Sequence, residues 1–222
     1  METTIVHLLR HGEVDNPEGV VYGRLPGYGL TPLGKKMGQA VADYLRRQER
    51  DITRVIASPL LRAQQTALPT AEAYGLAVEE DPNLIEADNN FEGVQVNKNR
   101  LILAHPKNWK HYTRPHEPSW GEPYSQILRR MELGVANALH QARGHEALVV
   151  SHQLPIVMMQ RFLAGKPLSH SPLNRECSLA SLTSLMFQGD SLTGWSYLEP
   201  AHELLRDASD MNPGVSSASI RR

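Results

Sequence analysis

The sequence has a single cysteine, Cys177, among its 222 residues, so the chain cannot form an internal disulfide. It also lacks an excess of charge of either sign, because 23 lysines and arginines are balanced by 24 acidic residues. No apolar run approaches the roughly 20 residues of a membrane helix, and the N-terminus lacks the basic and apolar regions of a secretory signal. These absences predict a cytoplasmic protein that binds neither nucleic acid nor membrane.

What the sequence does contain is a regular alternation of short apolar runs and longer helical patterns. Strands are predicted for residues 5–9, 55–57, 77–79 and 147–150. Helices are predicted from Thr31-Pro32, from Ser58-Pro59 to a stop at Gly75, across 127–139 and near 155–163. Two further runs, 179–187 and 192–198, flank Gly189-Asp190 and predict a closing hairpin. The alternation favours an α/β three-layer sandwich with a mainly parallel central sheet.

The length of the chain favours one domain, which we place at residues 1–208. Residues from about 87 to 123 show no clear period, and an irregular stretch of that length predicts a functional segment that covers the substrate. Residues 209–222 lack an apolar period and are predicted to be a disordered tail.

Histidine and arginine residues follow three of the predicted strands. Arg10-His11 follows the first strand, Arg62 lies in the opening turn of the helix after the second, and His152 follows the run 147–150. In a parallel α/β sheet, ligands collect beyond the carboxyl ends of the strands. We therefore expect two histidines and two arginines to converge at one edge of the sheet.

This set of side chains suits the chemistry of a phosphate ester. Arginine matches phosphate oxygens with a planar fork of donors and keeps its charge, and a neutral imidazole can attack phosphorus to form a covalent intermediate. Glu86, at the end of another β-like segment, could protonate the leaving oxygen. Each residue alone is more often an ordinary loop, core or surface residue, so the hypothesis depends on their conjunction.

Five motifs in this order resemble those of the histidine phosphatase superfamily, also called the phosphoglycerate mutase-like family. The resemblance spans roughly residues 4–187. It is carried by Leu9-Arg10-His11-Gly12-Glu13, Leu30-Thr31-Pro32-Leu33-Gly34, residues 57–67, Leu84-Ile85-Glu86 with Phe91-Glu92-Gly93, and Val149-Val150-Ser151-His152.

The resemblance implies a phosphoglycerate mutase-like fold and an enzyme that needs no metal or organic cofactor. It implies that His11 is the phosphorylated nucleophile and that Glu86 is the proton donor. The phosphate pocket would be completed by Arg10, Arg62 and His152.

The sequence departs from the family pattern at positions that bear on substrate fit. The family's phosphate-contacting asparagine lies one position farther from the arginine than Asn16 does, so Asn16 is a further candidate for the pocket. Phe91 stands where tryptophan is common, and Gln153-Leu154-Pro155 replaces the small residues that often follow the second histidine. Arg24 and Tyr22 could face the substrate, although a surface pair in a loop is the alternative.

We favour a phosphatase acting on a small anionic phosphate ester, because the irregular segment after Glu86 is shorter than in active mutases and lacks their motif. Mutase-type phosphoryl transfer is the alternative reaction. The sequence is also compatible with a homodimer. A basic run with no acidic residue could attract a second anionic group of the substrate, or be merely solvated. Its charged members between Gly93 and His116 are Lys98, Arg100, Lys107, Lys110 and Arg114.

Three rival classes fit the sequence less well. A zinc hydrolase is disfavoured because the pairs His111/His116 and His140/His145 are five residues apart, which does not place both rings on one helical face. A non-catalytic phosphate-binding module would be expected to have lost His11 or Glu86. A dinucleotide-binding protein would need a G-x-G-x-x-G motif after the first strand, and none is present.

Overall fold

The computed structural model describes residues 2–95, 121–171 and 175–209. Its centre is a sheet whose six strands lie in the order β3-β2-β4-β1-β5-β6. The strands are β1 (Thr3–Arg10), β2 (Ile52–Ala57), β3 (Val78–Glu80), β4 (Glu146–Ser151), β5 (Leu182–Gln188) and β6 (Ser191–Leu198). The basic run from residue 96 onward and the tail from residue 210 onward lie outside the described residues.

The first four strands of that order are parallel. Strand β5 pairs antiparallel with β1, and the edge strand β6 pairs antiparallel with β5. Strands β1 and β4 are neighbours in register, with Leu9 opposite Val150 and Arg10 opposite Ser151. Their side chains are buried along most of each strand, as expected where helices cover both faces of a sheet. The predicted mainly parallel sheet is therefore confirmed.

Helices cover the sheet on both faces. They are α1 (Pro32–Arg47), α2 (Leu61–Tyr74), α3 (Tyr124–Gln141) and α4 (Gln153–Leu163). Met37 of α1 packs in one core with Leu148, whereas Met131 of α3 packs in the other with Val149. Consecutive residues of β4 thus face opposite cores, which is the three-layer arrangement expected from the sequence.

Two helix ends follow the predicted chemistry. The Thr31 side chain accepts a hydrogen bond from the Gly34 amide at 2.9 Å and caps α1, with proline at the first helical position. Gly75 ends α2 with φ of 68°, a left-handed conformation that glycine adopts without strain. Both signals were local, so the sequence was sufficient to predict them.

Two predicted boundaries were wrong. Helix α2 starts at Leu61 without a side-chain cap, rather than at Ser58-Pro59. Strand β5 starts at Leu182, not at Leu179, because the Ser181 amide donates to the Ser178 carbonyl at 3.1 Å in a turn that precedes the strand. The apolar run continues through that turn, so hydropathy alone could not locate the end of the strand.

Candidate active site

The two histidines predicted to converge lie side by side at the carboxyl ends of β1 and β4. The His11 amide donates to the Ser151 carbonyl at 3.1 Å, which continues the ladder between the two strands for one more residue. The rings of His11 and His152 have centroids 5.1 Å apart and are tilted by 59°. Parallel pairing of β1 with β4 is what brings together residues 141 positions apart in the chain.

The hydrogen bond of His11 defines its tautomer. Nδ1 lies 2.8 Å from the Gly12 carbonyl oxygen, which can only accept, so Nδ1 carries the proton. In the neutral ring, Nε2 then holds the lone pair. Burial, followed by the charges of Arg62 and Arg10, holds the pKa of His11 well below its ordinary value. His11 is therefore a neutral imidazole at physiological pH, with the lone pair of the ring on Nε2.

His152 is also buried and neutral. Its Nε2 lies 2.8 Å from the Ser58 hydroxyl, so that serine contacts the second histidine rather than capping α2. Among the described residues, the buried Nδ1 of His152 has no hydrogen-bond partner. Burial is the main cause that holds the pKa of His152 well below its ordinary value, with further contributions from Arg62 and His11.

Two arginines are fully buried beside the histidines. Arg62 Nη2 donates to the Gly23 carbonyl at 2.7 Å, and its guanidinium carbon lies 4.7 Å from the centroid of the Tyr22 ring. Its buried Nε has no partner within the part of the chain that the structure describes. Arg10 Nη1 donates to the Cys177 carbonyl at 2.5 Å. Each guanidinium thus donates to a backbone carbonyl while its charge acts on the imidazoles.

Glu86 lies half-buried near this cluster and acts electrostatically on Arg62. Its Oε1 accepts from the Ala87 amide at 2.8 Å. Its backbone carbonyl accepts from Arg24 Nε at 2.7 Å, and Arg24 also binds Glu122 at 2.8 Å. Arg24 therefore supports the backbone of Glu86, and the sequence did not predict this contact.

The remaining predicted site residues lie in the loop after His11. Tyr22 stacks against Tyr28, with centroids 5.3 Å apart, as well as contacting Arg62. Asn16 uses both polar groups of its side chain on the Val20 backbone, at 2.8 and 3.1 Å. The structure thus places Tyr22 against the arginine cluster and directs the Asn16 amide into its own loop.

Two residues of this region were missed by the sequence reasoning. Glu13 of the first motif accepts from the Thr31 hydroxyl at 2.5 Å and from the Ser209 amide at 2.7 Å, which ties the loop after β1 to the start of α1. Arg175 lies between α4 and β5, and both Glu86 and Arg10 act on it electrostatically. It follows no predicted strand, so the rule that located the other residues could not find it.

The described ranges contain neither a candidate metal site nor a candidate membrane span. No group of three or more histidine, cysteine, aspartate or glutamate side chains is placed to hold a metal ion there. None of the helices in those ranges is long and apolar enough to cross a membrane. His111 and His116 lie outside the described residues.

Together, the fold and the site define an α/β protein with paired histidines and arginines buried where its parallel strands end. The family model of the histidine phosphatase superfamily, branch 1, matches residues 6–197. The chain belongs to this superfamily, as its five motifs indicated.

Curated relatives carry several kinds of name. The chain is 50% identical over 200 residues to the uncharacterized protein Rv0525 of Mycobacterium tuberculosis, covering 90% of this chain and 98% of the relative. It is 31% identical to a probable phosphoglycerate mutase GpmB of Yersinia enterocolitica, covering 79% of this chain and 82% of that one. It is 30% identical to phosphoserine phosphatase 1 of Hydrogenobacter thermophilus, with 73% and 77% covered. The relatives of this chain thus include proteins named as phosphatases and proteins named as mutases.

Solved structures show the same fold. A phosphoglycerate mutase from Bacillus anthracis superposes with a TM-score of 0.66 at 19% identity, covering 86% of this chain and 91% of that one. The phosphoglycerate mutase-like fold expected from the motifs is therefore confirmed.

Proposed function

We propose that the protein is a phosphomonoester hydrolase that acts through a phosphohistidine at His11 on a small anionic phosphate ester. The observation that carries this proposal is the state of the His11 ring. Its Nδ1 donates to the Gly12 carbonyl, so Nε2 is left as the lone-pair atom of a neutral imidazole on which the charges of two buried arginines act. A neutral nitrogen nucleophile beside fixed positive charge is what attack on a phosphate dianion requires.

The same cluster supplies an anion cradle. Arg62 Nε and His152 Nδ1 are buried polar atoms without partners among the described residues, which is costly unless a ligand satisfies them. Phosphate oxygens could accept from Arg62 and, if the imidazole proton of His152 is on Nδ1, from that ring too. Arg10 would add the second guanidinium charge as charge redistributes over the transferring group.

Glu86 would carry the proton in both halves of the reaction. In the first half, Nε2 of His11 bonds to phosphorus while the ester oxygen departs with the proton of the Glu86 carboxyl group. In the second half, the carboxylate takes a proton from water as the water oxygen bonds to phosphorus and the bond to His11 breaks. Phosphate leaves, and Glu86 is again protonated. Arg24 holds the backbone of Glu86 in place for this role.

The relatives support the reaction class, and the sequence supports hydrolysis over transfer to a second hydroxyl. The interval from Glu86 to the next helix is shorter than in active mutases and lacks their motif. We further propose a reducing compartment, the cytoplasm, as the place of action, in line with the single cysteine.

The test is to trap the covalent intermediate. The protein is incubated with p-nitrophenyl phosphate in the presence of a chelator, quenched in alkali and digested, and the peptide containing His11 is examined for phosphohistidine by mass spectrometry. We expect a base-stable, acid-labile phosphopeptide in the wild type and in a control variant, His202→Asn, which removes an exposed histidine. The label should be absent in His11→Asn.

Equal labelling of His11→Asn and wild type would contradict the nucleophile assignment. Activity abolished by the chelator would favour a metal hydrolase instead. Interconversion of 2- and 3-phosphoglycerate at a rate matching hydrolysis would replace the hydrolase by a mutase, and phosphate binding without any turnover would favour the non-catalytic module.

A further inference from the structure

Arg175 is a charged side chain that the reaction described above does not use. Its Nε donates to His170 Nε2 at 2.9 Å, and Nη1 lies 3.4 Å from Gln153 Oε1. It also shares a side-chain hydrogen bond with Tyr124. These three partners come from the start of α3, the start of α4 and the segment after α4, so the guanidinium is held from three directions.

None of these partners neutralises the charge of Arg175. The His170 ring is neutral, because its Nδ1 donates to the Leu168 carbonyl at 2.8 Å and Nε2 accepts from Arg175. Burial lowers the pKa of His170, which keeps the ring in this state. Gln153 carries no charge, and Tyr124 offers a hydroxyl group rather than a carboxylate. Within the described ranges, no carboxylate forms an ion pair with Arg175 at 4.0 Å or less.

Arg175 lies on the side of the site where the leaving group of the substrate would be. Glu86 and Arg10 both act on it electrostatically, so it lies near the proton donor as well as the phosphate cradle. Gln153 directly follows His152 in the chain, which links Arg175 to the second histidine. The part of a substrate that lies next to the proton donor is the departing alcohol. A fixed guanidinium there would face that portion of the ester.

We propose that Arg175 binds a carboxylate carried by the alcohol portion of the substrate, so that the site prefers phosphate esters with a second anionic group. This inference deepens the proposed function, on which it rests for the identity of the site. A guanidinium fixed by neutral groups offers its remaining donors in the geometry that a carboxylate accepts. Gln153, one of the departures from the family pattern, supports this arginine.

The test compares two esters that differ only in the second anion. In 3-phosphoglycerate, a carboxylate stands where glycerol 3-phosphate has a hydroxymethyl group. Their dissociation constants are measured by calorimetry on the His11→Asn protein, which removes the proposed nucleophile. The same measurement is made after adding Arg175→Gln or Arg175→Lys. Arg161→Gln is the matched control, because Arg161 donates to the Pro167 and Ser169 carbonyls of the same segment.

We expect the starting protein to prefer 3-phosphoglycerate, and Arg175→Gln to reduce that preference roughly 10- to 100-fold, as for loss of a hydrogen-bonded charge. Lysine should restore part of the preference, and Arg161→Gln should retain all of it. Thermal unfolding of each variant verifies that the fold is intact.

Three results would overturn the inference: no preference in the starting protein, equal weakening of both esters by Arg175→Gln, or the same loss in Arg161→Gln. Failure of the proposed function has a different signature. A protein that binds 3-phosphoglycerate through Arg175 but never releases phosphate in the wild-type form would keep the carboxylate site and lose the hydrolase assignment.

Discussion

Acidification should destabilise the unliganded protein through its two buried histidines, His11 and His152. The rings of His11 and His152 are buried, with 2% and 0% of their surface exposed, and their pKa values lie well below the ordinary value. Unfolding exposes both rings to water, where each takes up a proton near pH 6.5. The unfolded state therefore binds more protons than the folded state below that pH, so the free energy of unfolding falls as the pH falls.

The magnitude follows from the difference in proton uptake. If the folded ring stays neutral, each histidine removes about 1.4 kcal/mol of stability between pH 7.5 and 5.5. The two rings together remove about 2.7 kcal/mol, which is a large part of the stability of a typical domain. The loss continues at lower pH until the folded rings are protonated as well.

The assay is urea denaturation of the wild type, His11→Asn and His152→Asn at both pH values. Phosphate is left out of the buffers, because an anion bound at the site would stabilise the folded state. Each variant should show a pH-dependent loss smaller than that of the wild type by about 1.4 kcal/mol. The control His202→Asn removes an exposed ring and should retain the loss seen in the wild type.

The reasoning would be refuted by identical pH dependence in the wild type and both site variants. That result would mean that both rings take up protons in the folded protein as readily as in the unfolded chain, so that burial does not keep His11 neutral below its ordinary pKa.

Two further predictions concern Glu86, the proposed proton donor, and the loop after β1. Glu86→Gln should slow hydrolysis of an alkyl phosphate roughly 10²- to 10⁴-fold. It should slow hydrolysis of p-nitrophenyl phosphate much less, because the nitrophenolate leaving group needs no proton. Equal reductions of the steady-state rates for the two substrates would rule out Glu86 as a proton donor. In urea denaturation, the free energy of unfolding of Gly34→Ala should be about 1–3 kcal/mol lower than that of Gly38→Ala. The Cβ at residue 34 would overlap the Glu13 carbonyl oxygen, whereas the Cβ at residue 38 would lie 3.2 Å from the Thr66 carbonyl oxygen. Equal stability of the two variants would contradict this prediction.

The sequence by itself determined the elements and most of the site. Apolar periodicity and the signals at Thr31 and Gly75 are local properties of the chain, so strands and helices could be predicted within a few residues. The same pattern predicted a parallel sheet, and parallel strands end at one edge. The sequence therefore predicts that His11 and His152 meet.

Only the tertiary structure decided what each side chain contacts. The hydroxyl of Ser58 was expected to cap a helix, but it lies against His152, 94 residues away. Arg24 supports the backbone of Glu86 across 62 residues, and Arg175 is held by groups from three separate elements. Such contacts depend on distances between elements far apart in the chain, and hydropathy and spacing carry no information about those distances. The sequence thus indicated which residues meet. The packing determined which side chains are held in place by hydrogen bonds, which histidines are neutral and which arginines lack an ion-pair partner among the described residues.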